Sequence, residues 1–571
     1  MPASKSPEFE PHKSDQTLLQ RDLSQKQANI SSKREEANSV LTSRGNSKTM
    51  FGSSDSYRGS TKQELIDEDS LKEMGYENDI KIEPQGLLNT KDTWNVTLLV
   101  ILYLLQGVPV GLAFGSIPFL LKSKVSYSEL GIFSLATYPY SLKLLWSPIV
   151  DATFSKKIGR RKSWIIPIQL LMGTVFFWLG NNIDDMLMSE NPNVYIITLI
   201  FFLLIFFSAT QDIAVDGWAL TLLSKNNLSY ASTAQTIGLN TGYFLSFTVF
   251  LAFNSAEFSN KYFRDVPSEY GILSMRTYLN FWSFMYFAIT AYLIFGKSEE
   301  NVQSREDEMD IKTTYQTIWN ICKMPHMRKF ILVLLLSKIG FIANEAVTAL
   351  KLLEKGFSKE DLALSVMVDF PFQIIFGYYA AKWSSGPEPL KPWLYAFYGR
   401  LLFAVVGMLA VIAFPVDGVS TSYFALIITT TVLSSFTGTV QFVSISAFFT
   451  TIADPVIGGT YMTLLATFSN FGGTWPRFFV LEAVDKFTDA TCSVKNSLGE
   501  VVDCASEHGK NICTELNGQC NIHQDGYYVV SVATVTLGTI LLFTFIRPQI
   551  KVLQQLSPLK WSLKNVGGRS D

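Results

Sequence analysis

Two carboxylates, Asp212 and Asp216, follow directly on residues 194–208, VYIITLIFFLLIFFS, a run too apolar for a soluble helix. On a helix they are i and i+4, so both leave one face, with Gln211 beside them. A carboxylate facing lipid at mid-bilayer costs about 2.5–3.5 kcal/mol on insertion scales, so this face must meet protein or a water-filled cavity. The pair marks an internal polar surface, either a transport path or its gate, or a buried charge cluster that joins helices. Other charges recur at similar depth. Lys143 stands about two turns, roughly 10 Å, inside the end of an apolar segment. It either snorkels to the surface or turns inward to meet an anion. Lys338, in KFILVLLLSKIGFIANEAV, is about ten residues or 15 Å from the start of its segment, where snorkelling is difficult. Glu345 lies further along the same face and is a partner for Lys338 only if the helix breaks. Arg400 is a further cation, as is Arg477, expected near a helix end. Asn240, Gln373, Gln441 and Asn470 either bond substrate or join helices.

The elements that carry these residues are membrane spans. Of 571 residues, 48% are hydrophobic and only 17% charged, and mean hydropathy is positive, which excludes a soluble multidomain enzyme. A span needs about 20 residues. Twelve segments qualify, at 94–121, 127–150, 164–182, 194–222, 229–253, 277–296, 328–351, 361–383, 392–414, 421–451, 458–484 and 526–546. The charged stretch 297–327 divides them six and six. The fold class expected is an all-α polytopic membrane protein, 12 transmembrane helices in two six-helix bundles, 92–296 and 328–546. Residues 1–91, rich in Ser, Lys, Glu and Asn, read as a disordered tail without the apolar core of a cleavable signal peptide. Residues 547–571 read as a second tail. The net charge of −2, with no basic cluster interleaved with aromatics, gives no sign of nucleic acid as a partner.

Orientation follows from the basic loops, which normally stay cytosolic. The loop 151–163 carries Lys156, Lys157, Arg160, Arg161 and Lys162, whereas 181–193 carries only acids. Alternation then places both termini and the central linker in the cytosol, and the loop 485–525 on the opposite side. That loop holds Cys492, Cys504, Cys513 and Cys520, which on an oxidising side form two disulfides in one of three pairings. A zinc site is the alternative, and the spacings are irregular for one. In the first span Gly107, Gly111 and Gly115 leave one helix face as bare backbone between Pro109 and Pro118, suited to close packing or to bending. Asp151 followed by Gly159, Arg160 and Arg161 forms a latch that neighbouring helices can make or break. No nucleophile–base pair, metal-ligand cluster or phosphate loop is present, and His12, His326, His508 and His523 fall in tails or loops. No catalysis, cofactor or metal is therefore expected.

The six-plus-six division and Asp151…Gly159-Arg160-Arg161 resemble the loop between the second and third helices of the major facilitator superfamily, with Ala152 where that family has an arginine. ATQDIAVDGW at 209–218 and KLLWSP at 143–148 resemble the wider group that includes bacterial muropeptide permeases. Asp454-Pro455, the block that follows it through Pro476, and the four-cysteine loop resemble the acetyl-coenzyme A transporter family of the endoplasmic reticulum membrane, over about 94–546. The resemblance implies a major facilitator fold carrying acetyl-CoA from cytosol to lumen by alternating access, for luminal acetylation. Coenzyme A is the candidate exchange partner, the lipid bilayer the surroundings, and a homodimer a candidate assembly. Acetyl-CoA carries roughly four negative charges, an adenine and a flexible arm, and calls for cationic anchors and an aromatic wall. Lys143, Gln211, Asp212, Asp216, Lys338, Glu345 and Arg400 are the candidate substrate-binding residues, and Trp146, Trp218 and Trp475 the candidate aromatic wall. The rival is a carrier of the same fold for another organic anion, muropeptide-like or a thiol metabolite.

Overall fold

The computed structural model describes residues 90–561 apart from 123, 156, 190–191, 225–226, 228, 300–310, 385–387, 416–417, 454–457, 496–500 and 506. The expected tail up to residue 89, Lys156, residues 300–310 of the charged linker, Asp454-Pro455 and residues 562–571 lie outside the described residues. Twelve membrane elements follow one another among the described residues. They are α1 (Thr90–Leu121), α2 (127–152), α3 (Lys162–Met188), α4 (Val194–Leu222), α5 (229–254), α6 (Met275–Phe295) and α7 (Pro325–Glu354). The rest are α8 (Lys359–Ser384), α9 (Leu390–Ile412), α10 (Thr421–Ile452), α11 (Gly458–Lys486) and α12 (Gly526–Leu553). All but α2 and α11 are, among the described residues, long and apolar enough to cross a bilayer.

The second element departs from the single helix expected. Pro139 and Pro148 each sit at the start of a short helix, Tyr138–Leu142 and Ser147–Ala152, and neither can donate to the turn before it. The chain bridges those gaps with 3₁₀ turns at Leu135–Thr137 and Lys143–Leu145. α7 is broken as well, by a 3₁₀ turn at Ile339–Phe341 immediately after Lys338 and again at Val347. Gly340 lies within the first break and lets α7 pack closely on α12, since a Cβ there would stand 2.9 Å from the backbone of Gly538.

The bare face of α1 packs on α5. A Cβ on Gly111 would lie 2.7 Å from the Tyr243 carbonyl, and one on Gly242 would lie 2.9 Å from Gly107 Cα. Both helices carry a π turn at this contact, Leu112–Ser116 in α1 and Leu245–Val249 in α5. The glycines thus serve close packing against a helix that supplies glycines of its own.

Where α2 begins and α7 ends, one apolar cluster runs through both halves, joining Leu105, Phe133, Phe201 and Tyr286 to Val347, Leu350, Leu481 and Tyr527. At the opposite face there are two cores. Leu99, Tyr103, Val215 and Trp218 form one, and Phe330, Phe397, Phe448 and Tyr461 the other, which also takes in Leu144 from the first half.

Between α11 and α12 the cysteine loop folds into a small antiparallel sheet of β1 (Asp489–Lys495), β2 (Val501–Asp503) and β3 (Cys520–Gln524), with β1 central. A helix, Glu507–Glu515, lies between β2 and β3, and the chain leaves it through Asn517 at φ 53°. The bonds are Cys492–Cys513 and Cys504–Cys520, so the cysteines form disulfides rather than a zinc site. Three further departures concern the linker and the C-terminal tail. The linker contains a helix, Ile311–Lys323. α12 continues into the expected C-terminal tail, and Trp561 beyond it is fully buried against His326, Phe330 and Phe448. His326 accordingly sits in the first turn of α7 and not in a loop.

Forcing a side chain into the α1–α5 contact should lower stability. Gly242→Val is expected to cost about 1–3 kcal/mol through overpacking, read as a lower melting midpoint of the purified protein. Gly377→Ala, where an added Cβ meets nothing within 4 Å, should leave the midpoint unchanged.

Candidate functional site

The 3₁₀ turn at Lys143 directs that lysine into the first half. Lys143 forms an ion pair with Asp212, and its Nζ lies 3.7 Å from Asp216. The inward alternative therefore holds over snorkelling. Asp216 also accepts hydrogen bonds from the Tyr103 hydroxyl at 2.7 Å and from Gln235 Nε2 at 2.9 Å. α1, α2, α4 and α5 thus meet at one polar cluster. Its exposure is graded: the Asp212 side chain is 0% exposed, Lys143 15% and Asp216 40%. Asp216 is the open end of the cluster, and one oxygen of Asp212 lacks a partner among the described residues. Gln211 points elsewhere, donating to the Leu102 carbonyl at 3.4 Å.

The second half has a cluster of its own. Arg400 on α9 pairs with Glu345 on α7, donates to Gln441 Oε1 on α10 at 2.6 Å, and lies 3.7 Å from the Phe341 ring centroid. The break in α7 brings Glu345 to Arg400 and not to Lys338, which corrects the pairing expected from spacing. Among the described residues Lys338 makes no hydrogen bond or ion pair. Its side chain lies along Gly473, where a Cβ would stand 3.0 Å from Nζ. Arg477 is well inside α11 rather than near its end.

A seam between α2 and α11 joins the two clusters. Ser141 and Thr474 share a hydrogen bond of 2.7 Å, and the Tyr138 hydroxyl donates to the Trp475 carbonyl at 3.2 Å. Lys143 is two residues along α2 from that bond, and Gly473, against which Lys338 rests, is next to Thr474. Two lysines from opposite halves therefore flank one contact.

Asp151 and the arginines expected to form a latch with it are in contact, within a single half. Arg161 Nη1 meets Asp151 Oδ1 at 2.5 Å, and Arg160 Nε donates to the Asp151 carbonyl at 3.0 Å. Gly159 has φ 108°, which favours glycine. Glu299, just beyond α6, accepts from the Arg161 and Lys162 amides at 3.0 Å. The Arg161 guanidinium also fills the space where a Gly217 side chain would be, one residue from Asp216. The latch therefore touches the helix that carries the carboxylate pair.

Of the three tryptophans, Trp218 is 1% exposed and unavailable to a ligand. Trp146 donates to Thr210 Oγ1 at 3.0 Å, and Trp475 to the Leu335 carbonyl at 3.0 Å. Sequence reading missed Tyr103, Gln235 and Phe341, since a tyrosine or phenylalanine in an apolar run carries no sign of which face it occupies. Cys322 in the linker helix is unpaired, and burial raises its thiol pKa.

The fold and the two buried charge clusters define a membrane transporter of the major facilitator type. Solved structures agree: a bacterial homolog of the human lysosomal transporter Spinster, inward-facing and unoccupied, aligns at TM-score 0.54 with 12% identity, over 83% of this chain and 100% of that one. The nucleoside transporter NupG aligns at 0.52 with 10% identity, over 81% and 100%. The family model for acetyl-coenzyme A transporter 1 matches residues 95–304, 298–391 and 387–563, and the chain belongs to that family. An uncharacterized membrane protein of Saccharomyces cerevisiae is 44% identical over 83% of this chain and 98% of its own. A putative AmpG transporter of Rickettsia prowazekii is 32% identical over 26% of this chain and 35% of its own.

Removing one partner of the first cluster should cost more than removing both. Lys143→Ala is expected to lose about 3–5 kcal/mol, because it leaves Asp212 charged and buried. Lys143→Ala with Asp212→Asn should recover part of that loss in the melting midpoint.

Proposed function

We propose that the protein carries acetyl-CoA from cytosol to endoplasmic reticulum lumen by alternating access, with both termini cytosolic, and so supplies acetyl groups for luminal acetylation. The observation that carries this reading is Lys338, a cation inside the bundle that no described carboxylate neutralises, beside the α2–α11 seam. Lys338 is partly exposed, and keeping an uncompensated ammonium even partly out of water is costly, a cost that an anionic cargo would offset each time it entered. Lys338, Arg400 and Arg477 together would receive the phosphates. Lys143, already neutralised by Asp212, would become available as the Asp216 end of its cluster exchanged partners, with coenzyme A as the return cargo.

The two bundles, 92–296 and 328–546, would rock about the seam. The Asp151–Arg161 latch would report that motion to α4 through Gly217. The shared apolar cluster closes the face bearing the cysteine loop, which supports a state open towards the other side. The exposed carboxylates Asp216 and Glu345, each 40% exposed, favour one second reading: a cargo that also carries amines or other donors, such as a muropeptide-like anion.

Liposomes containing the purified protein should accumulate labelled acetyl-CoA, with coenzyme A competing. Lys338→Ala is expected to lower uptake about tenfold or more, the value of a charge-assisted contact, with an unchanged melting midpoint. Absence of uptake under every gradient applied would remove the acetyl-CoA assignment.

A further inference from the structure

The closed face is held by more than apolar packing. Glu354, at the end of α7, gathers four donors from four segments. They are the Tyr127 hydroxyl from the start of α2 at 2.8 Å, Lys122 after α1 at 3.7 Å, Lys351 at 3.4 Å and Lys510 at 3.3 Å. Lys122 and Tyr127 belong to the first half, and the Lys122 ammonium lies 4.2 Å from the Tyr127 ring centroid. Lys351 also reaches Asp525 at 2.7 Å, and Asp525 caps α12. From α11, Asp485 accepts from the amides of Tyr127 and Ser128 at 3.2 and 2.6 Å, so the second half also caps α2. Any state open on this face must separate Lys122 and Tyr127 from Glu354.

Lys510 is the member that no membrane helix supplies. It sits on the helix Glu507–Glu515, and the two disulfides decide where that helix lies. Cys492–Cys513 ties the helix to β1, which begins only two residues beyond the end of α11. Cys504–Cys520 ties the strand before it to β3, which runs straight into α12. The two bonds span 21 and 16 residues of a loop whose ends are fixed on two membrane helices. Cross-links of this kind restrict the conformations open to the loop, and the helix is thereby held over the gate. Cys504 and Lys510 line one small enclosed space together with Lys122, Tyr127, Lys351 and Glu354.

We infer that the disulfide-bonded loop is a working part of the gate on this face: through Lys510 it adds an arm to the Glu354 hub, and the disulfides keep that arm in place. The loop therefore tunes how readily this side opens and is more than an ornament on the bundle. The inference concerns opening alone and stands apart from the identity of the cargo.

Hydrogen exchange on the purified full-length protein tests it, read in segments 120–130 and 347–357. Lys510→Ala should raise exchange there about two- to fivefold, as expected for a partly exposed ion pair, and Lys510→Arg should restore it. Mild reduction of the folded protein with a phosphine, which converts each disulfide to two thiols, should produce at least the same rise without any substitution. Lys391→Ala, which removes only an exposed pair with Glu388 at the start of α9, serves as the control and should change nothing. Unchanged exchange at the gate after either Lys510→Ala or reduction, with the loop's own exchange increased on reduction, would make the loop a passenger and overturn the inference. Since the readout is the protein itself, it remains decisive even if acetyl-CoA uptake fails.

Discussion

Burying charge in a hydrocarbon-facing bundle is the constraint to which the rest of this structure answers. Lys143, Asp212 and Asp216 are tolerable there only because α2 and α4 converge to pair them, while α1 supplies Tyr103 and α5 Gln235. That convergence in turn demands a broken α2, since a regular helix would not present Lys143 from a 3₁₀ turn. The breaks come from Pro139 and Pro148, and the close approach of α1 and α5 from their glycines. Local backbone chemistry thus serves an electrostatic need.

The second half solves the same problem differently. Arg400 is stabilised by one carboxylate, one amide and one ring, while Lys338 beside it has no described partner. The first half is neutralised internally, with an extra acid, and the second carries excess positive charge. An anion entering between them would meet attraction on one side and a partnered lysine on the other. Charge asymmetry across a seam, more than any single residue, distinguishes a path for cargo from an ion pair that only holds helices together.

The two faces of the bundle also differ in how they are held. One has a large apolar cluster through both halves and a hub of ionic contacts around Glu354, the other two cores, of which the second takes in Leu144 from the first half. The hub is largely buried, with Lys122 and Lys351 each 6% exposed, so its contacts part only as water replaces them, whereas the apolar cluster gains nothing from water. The pairing of the two gives a closure that is tight yet divisible along the line between Lys122 and Glu354.

Sequence by itself determined the class of the protein, the twelve elements, the carboxylate pair and the four cysteines as an oxidised set. These follow from hydropathy and spacing along one chain, which are local properties. Partners across the chain were legible only in part. Asp212 and Lys143 could each be marked as buried charges, but nothing in either segment states that they meet. The Glu345 partner could not be read, because a break in α7 could be weighed from the segment but not the direction it takes, which brings Glu345 to Arg400 on another helix. The disulfide pairing and the hub at Glu354 were likewise beyond the sequence, since KLLEKG reads as an ordinary span end. Tertiary structure decided these matters because an ion pair or a disulfide is fixed by distance in space, and chain spacing constrains that distance only within one continuous helix or strand.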